Sequence, residues 1–123
     1  MKKLAAARPK EKKQRHLRKY AEGELGKDRS FFFRGPDGAL NLRAQNLMTF
    51  LQLAEGVDDR TWLHHLREGA YSRWFAEAIK DQHLASEASA VERDASLTAH
   101  DSRMRIKELV ARRYTAPAKR ESS

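Results

Sequence analysis

The sequence predicts a mainly α fold: a small bundle of four to five short helices, a short extended Phe-rich segment and a basic N-terminal arm. Three observations carry that expectation. Apolar residues recur at i, i+3, i+4 and i+7 in several stretches, the spacing of one helix face. Most of those stretches open on Asn, Asp, Ser or Thr and close near a glycine or a proline, the chemistry of helix ends. Finally, three consecutive phenylalanines stand just before a Pro-Asp-Gly turn, outside any helical period.

At 123 residues the chain is one domain at most, with an arm and a tail. Residues 1–29 read as a basic arm (a marginal helix or disordered), 30–116 as the helical domain and 117–123 as a polar tail. The net charge of +8 sits almost wholly in the arm. Met1 to Ser30 hold eleven Lys/Arg against four Asp/Glu, and the remainder holds fourteen against thirteen. A neutral domain with a basic arm differs from a domain with a basic face, which would point to a nucleic-acid reader. No stretch approaches the ~18 apolar residues of a membrane span, and a cytoplasmic location is the default. There is no cysteine, so disulfides, thiolate chemistry and cysteine-ligated zinc are excluded.

In chain order, Lys10 to Leu25 is rich in helix formers, with Leu17, Tyr20, Ala21 and Leu25 as one thin stripe. Ser30-Phe31-Phe32-Phe33-Arg34 reads as a buried extended segment. Pro36-Asp37-Gly38 is a turn, after which Leu40 returns alongside. The first domain helix is expected over 42–55, capped by Asn41 and ended by Gly56. Its face is Ala44, Leu47, Met48 and Leu51, widened by Phe50, Leu53 and Ala54. A second starts at Asp58 or Asp59, turns Trp62, Leu63 and Leu66 inward, and ends at Gly69. A third begins with Ser72 as cap and carries Trp74, Phe75, Ala78 and Ile79. Asp81 caps a fourth, from Gln82 to about Arg93, with Leu84, Ala88 and Val91 as its stripe. The fifth starts at Thr98, where Thr98-x-x-Asp101 is a capping-box-like pair. Ile106, Leu109, Val110 and Tyr114 form its apolar face.

Candidate chemistry is sparse. His64 and His65 are adjacent and point about 100° apart on a helix, so they do not ligate one ion in regular geometry; one is expected to flank the core and the other to be exposed. Asp58-Asp59 is explained by capping, and Glu77 and Asp81 face solvent near Lys80. Nucleophile-elbow, P-loop and dinucleotide-binding patterns are missing. No catalytic residue, metal site or cofactor is therefore assigned. Arg67, Tyr71, Ser72 and Arg73 surround the turn between the second and third helices. With Ser72 as cap, free backbone N–H groups lie beside two guanidiniums, which suits an anion or an acidic group of a partner. In the arm, Lys10, Lys12, Lys13, Arg15, Arg18 and Lys19 are the candidate contacts to nucleic acid. Tyr20 alone offers no stacking series. Arg103, Arg105, Lys107, Arg112 and Arg113 read as a solvated face balanced by Asp101 and Glu108.

Several ordered segments resemble a known module. They are Phe31 to Gly38, Asn41 to Leu47, Trp62 to Arg67, Tyr71 to Phe75 and Ile79-Lys80-Asp81, with the ending Arg113-Tyr114-Thr115. Together they resemble the small helical region appended C-terminally to certain bacterial haloacid-dehalogenase-like phosphatases, over roughly residues 29 to 117. The catalytic half of such phosphatases opens with Asp-x-Asp, whose first Asp is the nucleophile and which helps hold magnesium. This chain has no Asp-x-Asp, so the resemblance carries over no catalytic or metal-binding residue. It implies a non-catalytic interaction or regulatory module acting in trans with a phosphatase-type enzyme. The alternative is nucleic-acid or ribonucleoprotein binding through the arm. A third reading is a subunit that completes a sugar-phosphate-type phosphatase.

Overall fold

Short polar side chains decide where the helices start. A computed structural model describes residues 16–114 of the chain. Residues 16–22 are helical (α1). Two short strands follow, β1 (Phe31–Phe33) and β2 (Leu42–Ala44). Then come α2 (Leu47–Gly56), α3 (Asp59–Arg67), α4 (Ala70–Glu77), α5 (Gln82–Glu92) and α6 (Ala99–Tyr114). The class is mainly α, with the Phe-rich segment as one strand of a two-stranded antiparallel sheet. The expectations for Lys10, Lys12, Lys13, Arg15 and the tail lie outside the described residues.

Asn46, not Asn41, caps α2, its side chain accepting the Thr49 N–H at 2.8 Å. The helical period over 42–45 is overridden because Leu42, Arg43 and Ala44 pair with Phe33, Phe32 and Phe31. The returning strand is thus 42–44 and not Leu40. Asp58 caps α3 by accepting the Thr61 N–H at 3.0 Å, and Asp81 caps α5 by accepting the Leu84 N–H at 2.9 Å. The Thr98 hydroxyl oxygen accepts the Asp101 N–H at 3.0 Å at the start of α6. Each such cap satisfies a donor that the first helical turn leaves without a partner.

Between α3 and α4 the chain reverses at Gly69, whose φ of 68° is left-handed, so glycine is the residue that fits. It is Gly69 that precedes α4, and Ser72 lies within the helix.

The core is aromatic. Phe33, Phe50, Trp62, Tyr71 and Phe75 are all fully buried, and Trp74 nearly so. Phe31 packs edge-on against Phe50 with ring centroids 5.6 Å apart, and Trp62 stacks on Tyr71 at 4.3 Å. Such pairs add to what their buried area contributes. Most of the stripes expected from the sequence are inside: Leu47 and Phe50 of α2, Trp62 and Leu66 of α3, Phe75 and Ile79 around α4, Leu84, Ala88 and Val91 of α5, Ile106 and Val110 of α6; Met48, expected on the buried face of the first domain helix, is exposed.

One boundary moves. Tyr20, Ala21 and Leu25 are buried in the same core. Leu25 N–H donates to Gln45 O at 2.9 Å, Arg43 donates to Leu25 O at 2.7 Å, and the Asn46 amide donates to Gly23 O at 2.7 Å. The packed domain therefore reaches back through the second half of the segment read as arm. The thin stripe of Tyr20, Ala21 and Leu25 was enough to dock it.

Candidate functional site

The four residues around the α3–α4 turn divide into two pairs. Arg67 and Arg73 are exposed. Tyr71 is fully buried, and its hydroxyl donates to Trp62 O at 2.9 Å. Burial pushes that phenol far above its ordinary range. Tyr71 therefore touches no partner and stays protonated, and its place in the docking group is corrected. Ser72 is the second correction. Its N–H donates to Glu92 Oε2 at 3.0 Å, and its hydroxyl donates to Glu92 Oε1 at 2.6 Å. The start of α4 does hold an anion, as its dipole favours. That anion is the chain's own carboxylate, carried in from the end of α5.

What the turn leaves open is its cationic rim. Arg73 donates to Glu68 O at 2.7 Å, which folds its guanidinium back over the turn. Among the described residues no carboxylate pairs with Arg67 or Arg73. Arg73 also borders a shallow groove of about 450 Å³, floored by Phe31 and Trp74 and flanked by Arg29 and Glu77.

The histidine pair is placed by a different need. His65 is buried, deeper than the flanking position expected, and His64 is half-buried. His65 Nε2 accepts the backbone N–H groups of Arg34 at 3.1 Å and Gly35 at 3.3 Å. A backbone N–H only donates, so Nε2 holds the lone pair and Nδ1 the proton. Burial lowers the His65 pKa, His64 lowers it further, and Glu68 opposes both. His64, His65 and Glu68 bring candidate ligand atoms within 4.8 Å of one another. Coordination through His65 Nδ1 would move its proton to Nε2, facing two donors. The trio is thus not prepared as a ligand set, and His64 with Glu68 is only an i, i+4 pair.

A polar cluster that the sequence did not reveal ties the ends of α5 and α6 to α1. Asp81 is buried. Besides capping α5, its carboxylate accepts the Tyr114 hydroxyl at 2.8 Å and Arg113 Nε at 3.0 Å. The Tyr114 oxygen, whose hydrogen points to Asp81, accepts from His16 Nε2 at 3.1 Å. Burial opposes the Asp81 charge, but Leu84 N–H, Tyr114 and Arg113 together hold its pKa below the ordinary value. Burial and Asp81 raise that of Tyr114. Asp81 was legible as a cap and misplaced at the surface. Tyr114 was legible as apolar, and its hydroxyl was the missed signal.

Of the α6 cations, Arg105 and Arg112 are exposed as expected, whereas Arg103, Lys107 and Arg113 are paired with groups on other elements rather than balanced by Asp101 and Glu108. Arg103 donates to Ala54 O and Val57 O at the end of α2, pairs with Asp59 Oδ1 at 2.6 Å and lies 5.2 Å from the Trp62 ring centroid. Lys107 pairs with Glu55, and Arg113 with Asp81. Between α2, α3 and α6 the Arg103–Asp59 and Lys107–Glu55 pairs rim a cleft of about 470 Å³ with Met104 exposed on its edge. Of the arm candidates, Arg18 and Lys19 are exposed on α1.

No protein-family model matches the chain, nor does any curated protein or solved structure. The fold and the turn define a small mainly α module in which Tyr71, Ser72 and His65 are engaged internally at this end, while Arg67 and Arg73 face out beside the exposed Glu68. No helix among the described residues is long and apolar enough to cross a membrane.

Proposed function

We propose that the chain is a non-catalytic interaction module that docks an acidic segment of a partner protein on Arg67 and Arg73, the partner being a phosphatase-type enzyme. One observation supports this most: both guanidiniums are exposed at one turn without a carboxylate partner among the described residues. The groups beside them suited to chemistry are committed, Tyr71 to Trp62, Ser72 to Glu92 and His65 to two backbone donors. A guanidinium offers a carboxylate two parallel donors, so two of them favour an acidic segment over a single point charge. The test is fluorescence anisotropy with a labelled glutamate-rich peptide. Binding is expected to fall about tenfold with Arg67→Ala and Arg73→Ala combined. Equal binding by the double variant refutes the site. Incubation with magnesium and a generic phosphate ester is expected to give no turnover; turnover that co-purifies with the chain refutes the non-catalytic reading.

A second reading, nucleic-acid or ribonucleoprotein binding through the arm, is favoured by one observation. The buried Tyr20 and Ala21 fix α1 to the domain, so Arg18 and Lys19 are held outward at a defined place. It expects RNA binding that weakens steeply with salt and is lost when residues 1–15 are removed and Arg18 and Lys19 are neutralised. RNA binding that survives both changes excludes the arm.

A further inference from the structure

The two backbone donors that His65 accepts belong to one turn. Residues 34–40 close on themselves through Leu40 N–H to Arg34 O at 3.0 Å and Gly38 N–H to Gly35 O at 3.2 Å. The turn lies directly on α3. A Cβ placed on Gly35, whose φ is 80°, would meet Thr61 Oγ1 at 3.1 Å. Its hydrogen bonds to α3 are few. One is the exposed Arg60–Asp37 pair at 3.3 Å, which solvent weakens. The other two are the pair of bonds to His65 Nε2.

We propose that His65 is a pH-released clasp: protonation of its Nε2 frees the turn over residues 34–40 from α3 and uncovers the α3 face around Thr61 and His65. The chemistry is one proton and one lone pair. A proton from solvent binds Nε2, the imidazole becomes a donor at both nitrogens, and the Arg34 and Gly35 N–H groups lose their acceptor. Donor then faces donor across about the distance of the former bonds, and the turn must move. Every neighbouring group leaves this mechanism intact. On α3 itself, His64 opposes the charge and Glu68 favours it. From α4, Tyr71 presents a neutral phenol whose ring lies 6.3 Å away. From β1, the rings of Phe31 and Phe33 face the imidazole at 5.4 and 5.9 Å and offer no acceptor. On the turn, the Arg34 guanidinium is drawn over Phe32, at 4.6 Å, rather than toward His65. The pairing of β1 with β2 does not involve His65, so the sheet stays formed when the turn opens.

The experiment is two-dimensional NMR on the full chain, followed from about pH 7.5 to about pH 5. Imidazole nitrogen shifts at the upper end are expected to show an unprotonated Nε2. On acidification the Arg34 and Gly35 amides are expected to titrate with the His65 ring, and hydrogen-exchange protection over 34–40, corrected for intrinsic rate, to fall about tenfold. Protection of the β1–β2 pairs is expected to persist. His65→Gln, which accepts but does not titrate, is expected to abolish the titration of both amides. His64→Gln is expected to keep it and move its midpoint upward. An Nε2-protonated tautomer in the native chain, or amides that stay flat while the ring titrates, overturns the clasp. Because the tautomer is read in the unaltered chain, a variant that fails to fold leaves the answer intact.

Discussion

Glu92, at the end of α5, closes the start of α4 by taking both the backbone N–H and the hydroxyl of Ser72, at 3.0 and 2.6 Å. The contact joins residues twenty positions apart. It explains why α4 needs no capping side chain at Gly69. Removing the carboxylate leaves the Ser72 N–H without its acceptor at a half-buried helix start, while the hydroxyl keeps Gly69 O at 3.3 Å. Glu92→Ala is expected to cost about 1 kcal/mol, and Glu92→Gln less, since one acceptor oxygen remains. Urea unfolding of the three chains at one pH measures the order.

Asp81 is the centre of the other carboxylate network. Asp81→Ala strips the cap of α5 and leaves Tyr114 and Arg113 without their acceptor. A loss of about 3 kcal/mol is expected, with Asp81→Asn losing less because Oδ1 still caps Leu84. The sign with pH follows from the lowered folded pKa. The stabilisation is complete above the unfolded value of 3.8 and is lost as pH falls through the folded value. Acid unfolding of the parent is expected to show this decline below pH ~4, and Asp81→Asn to flatten it. An unchanged acid limb in the variant contradicts the network.

Arg103 works as a fork rather than as a point charge. It holds two carbonyls at the end of α2 and Asp59 of α3 while lying over Trp62. Lysine cannot match three acceptors in that plane, so Arg103→Lys is expected to cost about 1–2 kcal/mol despite keeping the charge. Thermal unfolding against Arg112→Lys, an exposed arginine on the same helix, is the control.

The placement of α1 makes a sharp prediction about truncation. Removing residues 1–15 is expected to leave the melting temperature close to the parent's, whereas removing 1–25 takes Tyr20, Ala21 and Leu25 out of the core. The second deletion is expected to cost roughly 4 kcal/mol from lost apolar burial alone. Equal stability of the two truncated chains would return the boundary to residue 29.

Much of this fold was legible because helix ends are local. Asp58, Asp81 and Thr98 announce their helices by chemistry that acts three residues away. Gly69 announces a reversal, because a left-handed residue costs glycine little. What was not legible came from contacts distant in sequence. Leu42 to Ala44 fit a helix as well as a strand, and only the phenylalanines nine to thirteen positions earlier decide between them. Ser72 has the right chemistry for a cap and sits three residues past the capping position, because Gly69 turns the chain earlier. The anion that its N–H attracts, Glu92, carries no mark in the sequence that it folds back. His65 was read beside His64, whereas its partners are the backbone of Arg34 and Gly35. Arg103, Lys107 and Arg113 read as solvated because their acceptors lie on α2, α3 and the start of α5.

The central claim is that Arg67 and Arg73 are the docking cations of a non-catalytic module. NMR titration of the full chain with a glutamate-rich peptide tests it most directly, following the arginine Nε groups and all amides together. Saturable shifts are expected at Arg67 Nε, Arg73 Nε and the amides of 68–73, lost on reversing both arginines to glutamate with the fold retained. Shifts confined to Arg18 and Lys19, or none at the turn at saturating peptide, would contradict it.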